Sequence, residues 1–387
     1  QSSVDAGKLP SMEYVAITAG KIDDEKFSGD ADIVQLESRA SLVQKRMKVI
    51  LDTMGSDNGA VEFVKGAVLA AEACDAEFIL VGQEDVLLPL IRENDTEGKL
   101  NGRYSVINAS EVVDMHDDPL KVMKEKPDSS MTVALKALAN GDGDALVSAG
   151  NTGALLTEAT LIVKRIRGIR RAALAPITPT AEGNAILIDS GANAECTPEY
   201  LYQFALMGSF YAKHSMGISS PKVGLLNNGA EDHKGDEIHR EAYKLLTDAH
   251  NKNEINFVGN IEGRDGPLGK VDVIVADGFS GNIYLKTMEG IGLFFTRELK
   301  AIFMSSLVGK LSALLLKTAI GSFKKKVDYN NAGGAPLLGV RKPVIKSHGS
   351  SKAVAICNCI LQAKQYAESG IVEEIGNSLK KEENSDE

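Results

Sequence analysis

A chain of 387 residues is long enough to bury a large core, as one large α/β domain or two smaller ones. Its net charge of −10 excludes a general nucleic-acid binder, which needs a basic face, and four cysteines without paired spacing fit a reducing compartment rather than a disulfide framework. No apolar run reaches the roughly 18–20 residues of a bilayer span, and no signal-peptide pattern opens the sequence.

Residues 1–46 carry no strand or glycine-turn pattern. Asp23, Asp24, Glu25, Asp30 and Asp32 make the middle of this stretch acidic, and Ile33, Leu36, Ala40 and Val43 form one weak helical stripe. It reads as a poorly ordered N-terminal appendage without chemistry. At Met47 the character changes. Lys48–Asp52 is a short apolar strand ending in an acid, followed by a Thr53–Gly59 turn and a helix over about Val61–Ala73. Phe78–Val81 is the next strand, Val86–Asn94 a helix, Ser105–Ala109 a strand and Thr132–Ala139 a helix. Ala145–Ser148 is a buried strand that leads through the small-residue turn Ala149–Gly153 into a helix over Ala154–Ile162.

The series continues with strands at Ala185–Ile188, Val223–Leu226, Phe257–Val258 and Val271–Val275. Each ends in a polar turn: Asp189–Asn193, Asn227–Glu231, Gly259–Asp265 and Ala276–Asn282. Helices follow over Pro198–Tyr211 and Glu237–His250. Val344–Ile345 then runs into Ser347–Ser351 and a last helix to about Ser369, which makes 47–370 the α/β domain and leaves 371–387 as a charged C-terminal tail.

Alternating strands and helices imply right-handed βαβ crossovers and a mostly parallel sheet with helices on both faces. The strands carry almost nothing but Val, Ile, Leu and Ala, while Asp, Asn, Gly, Ser and Lys gather just after them. In an open parallel sheet those positions line the crevice at the carboxyl ends of the strands, where ligands bind. A single Asp or Asn there is more often a helix cap; six or more such turns on one edge point to a polar pocket. The turn of Gly150, Asn151, Thr152 and Gly153 sits at a helix start, where backbone N–H groups and the helix dipole make an anion site.

Several familiar chemistries are missing. No GxGxxG opens a βαβ unit, no GxxxxGK[ST] occurs, no GxSxG elbow appears, and the six histidines lack HExxH or paired-ligand spacing. Cys357 and Cys359, two apart on a helix, do not share a face. Anion-cradling turns without an evident nucleophile suit catalysis by positioning and charge stabilisation. One segment departs from the pattern. Over 299–327, Leu299, Ile302, Phe303, Leu307, Leu311, Leu314, Leu315 and Ile320 fall at mostly helical spacing, and every charge is a lysine. Such a basic amphipathic stretch either lies in an anionic membrane surface or packs as a helical hairpin on the core or a second subunit.

Taken in order, Asp52–Asn58, Ser148–Ala154, Gly191–Asn193, Lys234-Gly235, Gly259–Glu262, Asp277–Asn282 with Lys286, Gly333–Gly339 and His348–Ser351 resemble the bacterial phosphate acyltransferase family, the acyl-ACP:phosphate acyltransferases of phospholipid synthesis. The likeness spans about Met47 to Ala367. Thr53, Ser56, Gly59-Ala60, Ala172 and Asn331-Ala332 depart from the family's usual residues. The resemblance implies a homodimeric, Rossmann-like α/β fold with a protruding amphipathic helical segment, related to phosphotransacetylases. It implies transfer of a fatty acyl group from acyl carrier protein to inorganic phosphate, with no cofactor, metal or nucleic acid. It further implies a cytoplasmic protein held peripherally at the inner face of the membrane through 299–327, which delivers acyl phosphate to a membrane glycerol-3-phosphate acyltransferase.

On that reading the Ser148–Gly153 turn (Ser148, Gly150, Asn151, Thr152 and Gly153) binds phosphate, Asn58, Asn193 and Gly278 belong to the same phosphate- or substrate-binding set, and Asp57 and Asp277 serve in it by orienting lysines and amides, since like charges repel. Lys234 and Lys286 are the candidates to neutralise charge, and Asn260 and Asn282, like Asn193, are amide donors. His348 either protonates the leaving sulfur or serves as a structural cap. Cys196 reads as buried packing. The rival readings are a phosphotransacetylase-like enzyme using acyl-CoA, a non-catalytic membrane-associated scaffold and, third, a nicotinamide dehydrogenase on the same fold, against which the missing glycine fingerprint counts.

Overall fold

The computed structural model describes residues 46–327 and 333–385; residues 1–45 of the appendage, and Asn331 and Ala332, lie outside them. Twelve named strands form two sheets rather than the single one expected. The first sheet holds β1 (Met47–Asp52), β2 (Ala76–Gly82), β3 (Tyr104–Asn108), β4 (Ala145–Ser148), β5 (Ala173–Leu174), β11 (Ala335–Leu338) and β12 (Val344–Lys346), in the order β3-β2-β1-β4-β12-β11-β5. Its first five strands are parallel, and β11 runs antiparallel to β12 and β5. The second holds β6 (Ile177–Pro179), β7 (Asn184–Ile188), β8 (Lys222–Leu226), β9 (Asn256–Ile261) and β10 (Val273–Val275), in the order β6-β7-β10-β8-β9 and antiparallel only at β6. The architecture is α/β and Rossmann-like, with mostly parallel strands.

The sheets meet where the chain passes from β5 into β6. Ser190 N–H donates to Leu174 O and Leu187 N–H to Pro176 O, both at 3.0 Å. This stitching draws the carboxyl ends of β4 and β12 towards the turn that follows β7.

Side-chain alternation places the helices. On β1, Val49 and Leu51 join the core formed with α1 (Ala60–Ala73) and α11 (Ala353–Glu368), while Ile50 faces α4 (Ser130–Asn140). Between α1 and α4 come α2 (Glu84–Asn94) and the single turn α3 (Val122–Glu125). After β4, α5 (Thr152–Glu158) continues as a π-helical turn, Ala159–Val163. On the second sheet α6 (Pro198–Ser215) buries Leu201, Phe204 and Met207, and α7 (Glu237–Asn251) buries Ala242 and Leu246.

Three boundaries differ most from the sequence expectation. The β9 strand runs on through Gly259, Asn260 and Ile261, because pairing with β8 satisfies a backbone whose composition reads as a turn. Residues 371–387, expected as a charged tail, are helical over Ile371–Ser385 (α12), with Ile371, Ile375 and Leu379 buried at a spacing of four. The helical segment does not start near 299. Helix α8 begins at the Asp277 cap and runs unbroken from Gly278 to Met304, roughly 40 Å at 1.5 Å per residue. Only Gly278 and Gly281 of it are buried. Helices α9 (Leu307–Leu315) and α10 (Lys317–Val327) complete the arm, and α9 buries nothing. No helix among the described residues is long and apolar enough to cross a membrane.

Candidate active site

Parallel register sets three polar residues side by side: Asp52 pairs with Ser148, and Ser148 with Lys346. Asp52 is fully buried and accepts hydrogen bonds from the Ser130 and Ser148 hydroxyls, each at 2.6 Å. Burial pushes its carboxyl up to about 6 against these hydrogen bonds. The Gly150 N–H donates to Ser148 Oγ at 3.2 Å, so Asp52 fixes the start of the β4–α5 turn through the serine. Beside them Lys346 is half-buried, and its ammonium donates to Ser347 O. Burial lowers it to about 8, partly offset by the nearby Cys359, Asp52 and Asp57.

The β1–α1 loop is clamped onto the β12–α11 loop. Asp57 N–H donates to Gly349 O at 3.0 Å, and Asn58 Nδ2 to Ser350 O at 2.8 Å and Ser351 O at 3.2 Å. This clamp holds His348 at the surface of the site, with Nδ1 2.8 Å from Ser350 Oγ. Partial burial lowers the His348 pKa, and the charges of Lys286 and Lys346 lower it further. Burial first and the two cations second thus disfavour the imidazolium form, against the opposing pull of Glu289 and Asp57.

A second turn faces the first. The buried Asp189 carboxylate accepts N–H groups from Leu174 (3.0 Å), Gly191 (3.3 Å), Ala192 (3.1 Å) and Asn193 (2.6 Å). Asn193 Nδ2 is spent on Ala172 O at 2.8 Å and Asp189 Oδ2 at 3.1 Å. The first turn of α8 sits directly on this loop: Gly278 N–H donates to Asn193 O at 2.7 Å. A Cβ on Gly281 would overlap Asp189 O, and one on Gly191 would come within 2.6 Å of Asn282 Nδ2. Asp277 caps the helix, accepting Ser280 N–H at 2.8 Å.

Between these turns lies a cleft of about 840 Å³. Its polar end is formed by Asp57, Thr152, Asn282, Lys286, Lys346 and His348, and its remainder is mostly apolar. Lys286 is exposed and pairs with Glu289 at 2.8 Å. An anion entering here meets two ammonium groups and an imidazole with the start of α5 alongside, an arrangement suited to binding phosphate and stabilising developing charge.

Of the residues expected at the site, Asp57, Thr152, Asn282, Lys286 and His348 line the cleft. Ser148 and Gly150 lie behind its wall in the Asp52 network. Asn151 is the α5 cap, accepting Ala154 N–H at 3.1 Å and tethering Asp114 O and Met115 O, both at 3.2 Å. Gly153 packs towards Pro119, Asn58 serves the loop clamp, and Asn193, Asp277 and Gly278 dock α8. Lys234 and Asn260 do not line this cleft. They belong to the end of the second sheet, where Asn260 Nδ2 donates to Glu231 O at 2.8 Å and Lys234 O accepts from Asn227 Nδ2 at 3.2 Å. One edge was expected to collect every turn, and two sheets divide them. Lys346 was missed, although a lysine closing an apolar strand just before Ser347-His348 was a usable signal. Cys196 is buried, and its thiol is pushed up to about 12 by burial.

Residues 47–374 match the family described as fatty acid synthesis protein. A phosphate acyltransferase of Leuconostoc citreum is 46% identical over 338 residues, covering 86% of this chain and 94% of the relative. Another, of Thermoanaerobacterium thermosaccharolyticum, is 42% identical over 333 residues, covering 86% and 97%. Among solved structures, a phosphotransacetylase from Streptococcus pyogenes shares the fold with a TM-score of 0.57 at 18% identity, covering 88% of this chain and 99% of that one.

Proposed function

The chain belongs to the phosphate acyltransferases of the fatty acid synthesis protein family, an acyltransferase enzyme, and from that premise we propose that it transfers a fatty acyl group from acyl carrier protein to inorganic phosphate for phospholipid synthesis. The observation that carries this reading is a single cleft with Lys346, Lys286 and His348 at one end and apolar walls beyond them. A charged nucleophile fits one part, and an acyl chain the other.

Phosphate oxygen attacks the thioester carbonyl, a C–O bond forms, and the C–S bond breaks. The phosphate hydroxyl proton ends on the departing sulfur, so acyl thioester and hydrogen phosphate become acyl phosphate and free thiol. Lys346 and Lys286 hold the phosphate and oppose the charge that builds on the carbonyl oxygen. His348 relays the proton to the thiolate. Asn282 donates an amide N–H at the helix start. The buried Asp52 acts through Ser148 and is a positioning residue.

The arm supports a peripheral membrane role. Leu307, Val308, Leu311, Leu314 and Leu315 of α9 are exposed, with Lys310 and Lys317 beside them. The enzyme then works as a homodimer on the cytoplasmic face of the cell membrane and passes acyl phosphate to a membrane glycerol-3-phosphate acyltransferase. The test is acyl transfer from long-chain acyl-ACP with and without inorganic phosphate, trapping product with hydroxylamine. Phosphate-dependent hydroxamate is expected from acyl-ACP. Product from acyl-CoA alone would replace the carrier protein as donor, and product from neither would leave a scaffold.

A further inference from the structure

We propose that the apolar part of this cleft, running outward along α8 from Lys286, is the channel for the acyl chain, and that Phe295 and Phe323 set the chain length it accepts. The proposal rests on the acyl transfer reading above. Leu285, Met288, Gly292 and Phe295 face the cleft at intervals of three and four, one stripe of α8. Ile177 and Pro179 of β6 and Pro267 line the same cleft, as does Phe323 of α10.

Two features mark this as a ligand channel. Phe295 is 54% exposed and Phe323 42% exposed although both line a cleft, so their apolar surface is left for an occupant to cover. The channel is also continuous with the cationic end at Lys286, so one molecule with an anionic or carbonyl head and a hydrocarbon tail fills both. Gly292, without a side chain, leaves the width between Met288 and Phe295.

The spacing gives a length. From Lys286 to Phe295 is nine residues of helix, about 13 Å at 1.5 Å per residue. An extended chain advances roughly 1.2 Å per bond, taking about 3.5 Å for the three bonds of an extended residue, so about eleven carbons reach the two phenylalanines. Longer chains run past the two phenylalanines and follow the exposed face of α8.

The experiment compares butyryl and palmitoyl donors, as the ratio of kcat/KM for phosphate-dependent acyl phosphate formation, in wild type, Phe295→Ala and Gly292→Leu. Gly292→Leu fills the channel and is expected to lower the palmitoyl-to-butyryl ratio at least about tenfold, the discrimination one or two methylene-sized obstructions give in an apolar pocket. Phe295→Ala is expected to raise the ratio. Unchanged ratios in both active variants overturn the channel and leave the acyl transfer reading standing. If Phe295→Ala instead changes the oligomeric state at unchanged ratio, a second copy covers this face and the channel is again overturned. A fluorescent long-chain fatty acid provides an arm independent of catalysis, with thermal unfolding of each variant as the folding control. Probe binding lost in folded Gly292→Leu upholds the channel even where no acyl phosphate forms, a result that removes the reaction alone; binding unaffected by either substitution removes the channel.

Discussion

Lys346 and Asp52 illustrate how one strand row divides its work. Lys346 is cationic below about pH 8 because burial, the larger influence, outweighs its carboxylate neighbours. A free enzyme that needs this cation loses kcat/KM for phosphate as pH rises through about 8. Lys346→Arg, charged at all accessible pH, is expected to move that limb upward. Lys346→Ala is expected to lower kcat/KM about 10²–10³-fold, the usual cost of one charge-stabilising donor. An unshifted alkaline limb in the arginine variant removes Lys346 from phosphate binding.

Asp52 bears on stability. Its carboxyl keeps a proton to about pH 6 in the folded chain, against an ordinary value of 3.8, so the folded state binds more protons than the unfolded one between those values. The stability this group contributes is therefore fully present below the ordinary value and is lost as pH rises through about 6, about 3 kcal/mol for a shift of this size. Asp52→Asn is expected to flatten that part of the unfolding-temperature profile between about pH 4 and pH 7. A profile as steep as wild type contradicts the assignment. Lys346 escaped sequence reasoning because it stands between an apolar strand and a polar turn and was counted with neither. Asp52 was visible as an acid ending a strand, but its burial and serine partners were not.

At the scale of elements, α8 is the part on which the site depends. Its first turn presses on the Asp189–Asn193 loop so closely that Gly281 has no room for a methyl group. Replacing a helical glycine by alanine ordinarily gains about 1 kcal/mol. Here overlap with Asp189 O outweighs that gain, and Gly281→Ala is expected to destabilise the fold by about 1–3 kcal/mol and to displace Asn282 and Lys286. Thermal unfolding together with KM for phosphate checks it; wild-type values of both contradict the docking. The glycines of Asp277–Asn282 were legible as a special turn, and the length of α8 was not, because Ile291, Leu293 and Phe294 scatter apolar residues around the helix and blur the stripe of Leu285, Met288 and Phe295. The last helix, α12, was hidden for the opposite reason: a sparse stripe of Ile371, Ile375 and Leu379 lies among charges that read as a tail.

For the whole molecule, alternating strands and helices made the α/β class and the parallel pairing readable, since apolar strands followed by polar turns admit little else. Partition into two sheets was not readable. It depends on β5 and β6, of two and three residues, which are too short to carry a pattern. That partition brings Lys346 and His348 from the first sheet against Ser190 and Gly191 after β7 and against α8, and leaves Lys234 and Asn260 elsewhere. The cleft with a cationic end and an apolar remainder is thus a product of topology more than of any one motif.

Acyl transfer to phosphate is measured most directly by following both products of one reaction. Palmitoyl-ACP is mixed with enzyme and inorganic phosphate, acyl phosphate is observed by phosphorus NMR, and released carrier thiol is titrated. For acyl transfer to phosphate, the two are expected in equal amounts and only when phosphate is present. Thiol released together with free fatty acid, at a rate indifferent to phosphate, would contradict it.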